Sequence, residues 1–222
     1  MRSPSRWSPA LISLALLIVV GGCASSGSND AGAKPPAQKK SRLHRFEFKE
    51  QAPANRETGG RLPGEGQVAL LGPDGEQVKI SDYAGKPVVL VFNRGFAGFI
   101  CPYCTTYTAQ IAARYDDLKA AGAEVLLVYP TADEDQAKIE EFKAAVEELL
   151  AEDGSEGMPF PVLLDPGLNC VLRYNIQGDL SKPSTFVLDR DGAIRYVYVG
   201  QDVDDRPSVD RILEEVRALA GS

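Results

Sequence analysis

Two cysteines separated by two residues, in Cys101-Pro102-Tyr103-Cys104, are the part of this 222-residue chain best suited to chemistry. At this spacing on a helix the thiols sit about one turn apart, so one sulfur can attack a disulfide and the other can resolve the mixed disulfide. The pair stands where an apolar run has ended and a helical pattern begins. A helix start offers unpaired N–H groups and the positive end of the macrodipole, and both favour a thiolate. Cys101 is therefore expected to have a depressed pKa and to be the nucleophile, with Cys104 as the resolving thiol. Pro102 suits the first helical turn, where a missing N–H does no harm. Other uses of the spacing fit less well. A Cys101–Cys104 bridge closes too small a loop to restrain the unfolded chain much. Zinc needs two further ligands, and those left are Cys170 and the single histidine, His44. A copper carrier would want a histidine within the folded part. No metal is expected, and no cofactor beyond a redox-active Cys101–Cys104 disulfide.

The elements that must position this pair follow from pattern. Composition is that of an ordinary globular protein, 44% hydrophobic and 25% charged. Residues 87–92 are wholly apolar and β-branched, as a strand buried on both faces requires. Residues 93–100 carry Gly95 and Gly98 and form a loop. From Cys101 to about residue 121, Ile111, Tyr115 and Leu118 recur at helical spacing, and Gly122 ends the run. Residues 124–129 read as a second buried strand. Residues 133–151 form an amphipathic helix with Ile139, Phe142, Val146, Leu149 and Leu150 on one face. A hairpin is expected over residues 68–80 around Gly72-Pro73-Asp74-Gly75. A strand at 162–164, a short helix near 167–174, a strand pair at 184–188 and 194–199, and a helix at 209–220 complete the order. This is an α/β fold, a central mixed sheet flanked by helices, with an N-terminal β-hairpin extension.

The segment before the fold reads as an address and a spacer. Arg2 and Arg6 precede an apolar run over residues 10–20, broken only by Ser13. The run is short for a membrane span and right for a signal-peptide core. Val20-Gly21-Gly22-Cys23 resembles a bacterial lipobox, which implies cleavage before Cys23 and lipidation of its thiol. Ala24 in place of Asp implies the outer membrane in a Gram-negative envelope. The expected organisation is a signal peptide over 1–22, a lipidated Cys23 with a disordered basic tether to 61, and a folded domain over 62–222. Net charge is −7, which excludes the basic surface that nucleic-acid binding needs. It divides into +2 over residues 1–23, +4 over residues 24–61 and −13 over residues 62–222.

Residues 88–104 and the helix after them resemble the thioredoxin superfamily, and within it the thiol–disulfide oxidoreductase and AhpC/TSA (redoxin) families. Lys182-Pro183-Ser184-Thr185-Phe186-Val187-Leu188-Asp189 resembles the cis-proline segment of that fold. The resemblance implies a cis Pro183 beside the cysteines and a Lys182 backbone free to pair with a substrate strand. Substrate-positioning roles are accordingly expected for Lys182, Pro183, Pro102 and Tyr103. Arg94-Gly95 ahead of the motif resembles peroxiredoxin-like redoxins, and Arg94 is a candidate thiolate stabiliser. The chain also departs from these families. Ile100 stands where thioredoxins carry Trp, residues 93–100 make a longer link than usual, and residues 88–92 hold no carboxylate. The Thr that typical peroxiredoxins place three residues before the reactive cysteine is replaced by Gly98 or Cys101. Cys170 is a candidate extra redox thiol, or else a buried free cysteine. The implied function is thiol–disulfide exchange through Cys101 and Cys104. A thiol peroxidase using the same cysteines and a non-enzymatic binding module are the alternatives. The implied partners are protein thiols and disulfides of the bacterial cell envelope, an electron donor or acceptor, and the membrane through Cys23.

Overall fold

The computed structural model describes residues 41–64, 66–131 and 136–219. The expected signal peptide, Cys23 and the tether through residue 40 lie outside the described residues. Among those described, no helix is long and apolar enough to cross a membrane. In chain order the elements are β1 (Leu70–Leu71), β2 (Gln77–Val78), β3 (Val88–Phe92), α1 (Pro102–Ala113), α2 (Tyr115–Ala120), β4 (Glu124–Thr131), α3 (Gln136–Glu152), β5 (Val162–Pro166), α4 (Asn169–Arg173), β6 (Ser184–Leu188), β7 (Ile194–Val199) and α5 (Val209–Leu219). The described strands form one sheet in the order β2-β1-β5-β4-β3-β6-β7. β3 runs parallel to β4, and β4 parallel to β5. β6 turns antiparallel against β3, β7 against β6, and the β1–β2 hairpin is antiparallel on β5. The expected mixed sheet with its hairpin extension is what the chain builds. The single helix expected over 101–121 is instead α1 and α2, broken at Arg114, whose backbone (φ −111°, ψ 16°) leaves the helical region.

Side chains alternate across a strand, so the buried strands serve two cores. Val89, Val91, Val125, Leu127, Tyr129, Val187 and Tyr196 face one side, against Tyr107 and Ile111 of α1, Phe142 and Val146 of α3, and Ile212 and Leu213 of α5. Leu90, Phe92, Leu126, Val128, Leu163, Phe186 and Val197 face the other, with Val171 and Tyr174 near α4. Cys101 and Cys104 belong to the first core and Cys170 to the second.

One expected boundary is wrong. The described part of the presumed tether, residues 41–61, packs on the domain, because it carries apolar side chains too irregularly spaced to register as a pattern. Leu43, Phe48 and Ala52 are buried. The Asn55 side chain bonds both the N–H and the C=O of Val199, each at 2.9 Å. Tyr196 donates to Ala52 C=O at 2.8 Å, and Gly59 and Gly60 exchange backbone bonds with Ile194. Residues 52–60 thus occupy the outer edge of β7, which would otherwise expose unpaired backbone groups.

Two outcomes follow. Leu43→Ala is expected to lower the unfolding free energy by about 2–5 kcal/mol in urea titration; an unchanged midpoint would mean that the segment does not pack. Cys170 should resist alkylation in folded protein at any pH below about 9 and react fully in denaturant, as followed by peptide mass mapping.

Candidate functional site

Cys101 is the N-cap of α1, with Pro102 in its first turn and Cys104 one turn along. Both sulfurs are buried, with Cys101 2% exposed and Cys104 fully enclosed. Both are free thiols. The link from β3 to the pair is shaped by Gly95, which takes φ +87° and lies so close to Pro130 of β4 that a Cβ would meet its carbonyl oxygen. Only glycine fits that approach.

The electrostatic centre of the site is Arg206, a residue the sequence did not single out. It lies in the loop between β7 and α5 and is 1% exposed. Its Nη2 donates to Cys104 Sγ at 3.2 Å, its Nη1 to Asn93 Oδ1 at 3.1 Å, and its Nε to Val203 C=O at 3.0 Å. Asn93 in turn donates to Thr108 Oγ1 at 3.1 Å, which fixes the amide so that its oxygen faces the guanidinium. The guanidinium carbon sits 5.0 Å from the centre of the Tyr107 ring. The Tyr107 hydroxyl lies 3.3 Å from Thr185 Oγ1 on β6. Among the described residues no carboxylate pairs with Arg206. A buried cation without a counter-ion is costly, and the anion on offer here is a cysteine thiolate.

The two thiols are driven apart in acidity. A hydrogen bond from Cys104 is the chief influence that lowers Cys101, to about 6, against the opposing effect of burial. The backbone N–H groups of Cys104 and Tyr103 and the charge of Arg206 lower it further. Cys104 is raised well above the ordinary thiol range, first by burial and then by its bond to Cys101, while Arg206 and the Arg94 N–H oppose the rise. At neutral pH these directions put a thiolate on Cys101 beside a protonated Cys104.

Several expected roles change. The Arg94 guanidinium is paired with Asp179 at 2.6 Å and lies over the ring of Phe99, so its charge is engaged away from the thiols. Arg94 serves the site through its backbone N–H on Cys104. No peptide bond among the described residues is cis, so the Lys182–Pro183 bond is trans. Nor is the Lys182 backbone free. Its N–H donates to Ile176 C=O at 2.7 Å, and its C=O accepts from the hydroxyls of Ser181 and Ser184. Pro183 C=O accepts from Gly200, which continues the β6–β7 ladder past Ser184. The expected strand-pairing edge is therefore already used. Tyr103 is half-buried, its ring 4.1 Å from that of Phe46 in the N-terminal segment. Cys170 is buried in the second core, across the sheet from the pair, and burial followed by the charge of Asp165 raises its pKa, as for the buried free cysteine that is the other reading. Among the described residues no group of three or more His, Cys, Asp or Glu side chains could hold a metal ion. Half-exposed Phe99 is the apolar surface two residues ahead of Cys101.

Comparison with known proteins agrees with this picture. Residues 65–197 match the AhpC/TSA family. The chain is 30% identical over 136 residues to chloroplastic peroxiredoxin Q of Oryza sativa subsp. japonica, across 60% of this chain and 55% of that protein. It is 28% identical over 127 residues to the thiol-disulfide oxidoreductase ResA of Halalkalibacterium halodurans, across 57% of this chain and 61% of that one. The chain thus spans little more than half the length of these relatives. Among solved structures, peroxiredoxin Q of Xanthomonas campestris superposes with a TM-score of 0.53 at 19% identity, across 75% of this chain and 99% of the other. Peroxiredoxin 6 of Arenicola marina gives 0.60 at 18% identity, across 75% and 74%. Those two likenesses are of fold. With the family match covering more than half of its length, and with a paired-thiol site at the start of α1, this chain belongs to the AhpC/TSA family.

Proposed function

We propose that this protein is a thiol–disulfide oxidoreductase that works through Cys101 and Cys104. The observation that carries the reading is the divided acidity of the pair, a lowered Cys101 one helical turn from a raised Cys104. In the reducing direction the Cys101 thiolate attacks one sulfur of a substrate disulfide, and the other sulfur leaves as a thiolate. Cys104 then loses its proton and attacks Cys101 in the mixed disulfide. The second substrate thiol is released, two electrons have passed to the substrate, and the Cys101–Cys104 disulfide remains. Arg206 stabilises the anion that Cys104 becomes in that second step.

A peroxidase reading is favoured by one specific observation, the guanidinium of Arg206 at 3.2 Å from Cys104 Sγ. A cationic donor beside a reacting sulfur can hold a peroxide and stabilise the leaving hydroxide. In that case a thiolate attacks one peroxide oxygen, the O–O bond breaks, and hydroxide leaves as water after taking a proton. The sulfenic acid so formed condenses with the neighbouring cysteine to give the same disulfide and a second water. Both reactions need an external thiol donor to restore the dithiol, and oxidation of substrates by the disulfide needs an electron acceptor instead. The relatives named as peroxiredoxin Q and as a thiol-disulfide oxidoreductase are consistent with either reading.

The resemblance of Val20-Gly21-Gly22-Cys23 to a lipobox supports a lipid anchor on Cys23 and work on protein thiols and disulfides outside the cytoplasm. In cells given labelled palmitate the protein should take up label and partition with membranes, and Cys23→Ser should abolish both. Label in the Cys23→Ser protein would contradict the anchor.

Turnover separates the chemistries. The full protein is expected to reduce insulin disulfides with dithiothreitol as donor, at a rate indifferent to peroxide. Cys101→Ser should fall to the uncatalysed rate, and Cys104→Ser should trap a mixed disulfide visible by mass spectrometry. Peroxide consumption lost in either variant, with no insulin reduction, would replace this reading by the peroxidase.

A further inference from the structure

Residues 41–52 have no part in the thiol chemistry so far, yet they touch the backbone of Arg206 and the ring beneath its guanidinium. Lys49 lies beside Pro207 in a parallel bridge. Its N–H donates to the C=O of Arg206 at 2.9 Å, and its C=O accepts from the N–H of Ser208 at 2.8 Å. The backbone on either side of Pro207, the residue directly after Arg206, is thus pinned by one residue of the N-terminal segment. The Lys49 ammonium also pairs with the Asp205 carboxylate at 2.6 Å. Asp205 further accepts from the Tyr198 hydroxyl at 2.6 Å and from the Gln201 N–H at 2.9 Å. Asp205 adjoins Arg206 in sequence, and a carboxylate already held by Lys49, Tyr198 and Gln201 does not compete with Cys104 for the guanidinium.

The neighbours of Lys49 act on the same group from the side of α1. Phe48 meets Tyr107 edge-on, with ring centres 4.8 Å apart, and Tyr107 is the ring beneath the Arg206 guanidinium. Gln110 of α1 donates to the carbonyls of Leu43 and Phe46, each at 2.9 Å, and Phe46 packs on Tyr103 between the two cysteines. Backbone bonds, an ion pair and two ring contacts therefore all converge on one short segment.

We propose that residues 46–49 form a strap, centred on Lys49, that positions Arg206 against Cys104 and so sets the reactivity of the thiol pair. The proposal rests on the redox reading of Cys101 and Cys104. Lys49 is a positioning residue, since it acts through Arg206 and Asp205. Without its ammonium, Asp205 is left to draw the guanidinium toward itself, and the thiolate loses part of its counter-charge. Around the pair stand also Tyr103 between the two cysteines, the Asp179-paired Arg94, and the buried phenols of Tyr107 on α1 and Tyr129 on β4. Burial raises Tyr107 and Tyr129, so neither titrates in the range to be read.

The test is the pH profile of Cys101 alkylation by iodoacetamide, from pH 4 to 9, on the reduced full chain. Lys49 is half-exposed, so its replacement leaves the fold intact. Lys49→Ala and Phe48→Ala are each expected to raise the midpoint by about 0.5–1 pH unit. Lys49→Arg keeps a cation on Asp205 and should hold the wild-type midpoint. A profile unchanged in Lys49→Ala would overturn the strap, as would a Lys49→Arg shift as large as that of Lys49→Ala. The two failures are distinct: absence of disulfide or peroxide turnover in wild-type protein sinks the redox reading, whereas the strap stands or falls on these shifts.

Discussion

A buried guanidinium that pairs with no carboxylate among the described residues is the constraint around which this molecule is arranged. Arg206 is held by an asparagine oxygen, a main-chain carbonyl, the face of a tyrosine and a cysteine sulfur. The first three are neutral groups and compensate only part of the cost of taking a full charge out of water. The remainder falls to the thiols. A dithiol that shares one negative charge beside this cation neutralises it in the folded state. The charge of Arg206 also adds to the hydrogen bond from Cys104 that chiefly lowers Cys101. Stability of the core and readiness for chemistry therefore share one interaction.

The rest of the fold supplies the coordinates of that contact. β3 ends at Phe92, and Asn93 follows it directly, so the sheet itself places one acceptor for Arg206. The Gly95 turn brings the chain past β4 and back to α1, whose first turn carries both cysteines. Thr108 and Tyr107, both about one turn beyond Cys104 on α1, orient Asn93 and support the guanidinium. Arg206 arrives from the opposite direction, in the loop leaving β7. Three separate stretches of chain, the end of β3, α1 and the loop after β7, meet at one charge, and each is fixed by its own packing.

Much of this was legible in the sequence and some was not, for physical reasons. Val88–Phe92 and the Cys101–Cys104 helix start are local patterns, and local patterns survive without tertiary context. Arg206 was not legible. It follows two aspartates and precedes a proline in a polar loop, where an arginine ordinarily faces solvent, and nothing within ten residues signals burial. Arg94 misled for the opposite reason: it adjoins the motif in sequence, but its charge is claimed by Asp179. Pro183 and Lys182 stand at the start of β6 as expected, but the bonds from Ile176, Ser181, Ser184 and Gly200 that occupy their backbone come from groups whose positions only folding sets. The segment at residues 41–61 escaped because Leu43, Phe48 and Ala52 follow neither a helical nor a strand period. Its order comes from the surface it covers.

The central claim is that Arg206 and the two cysteines form one ionisable unit. Ultraviolet absorbance of the reduced protein at about 240 nm, where thiolates absorb, reads that unit directly when followed against pH. The wild-type signal should rise with a midpoint near 6, the value to which Cys101 is lowered. In Arg206→Met, which keeps an unbranched apolar stem and removes the charge, the midpoint should move up by about one unit or more. An identical midpoint in both proteins would contradict the account, because the thiolate would then owe nothing to the buried guanidinium.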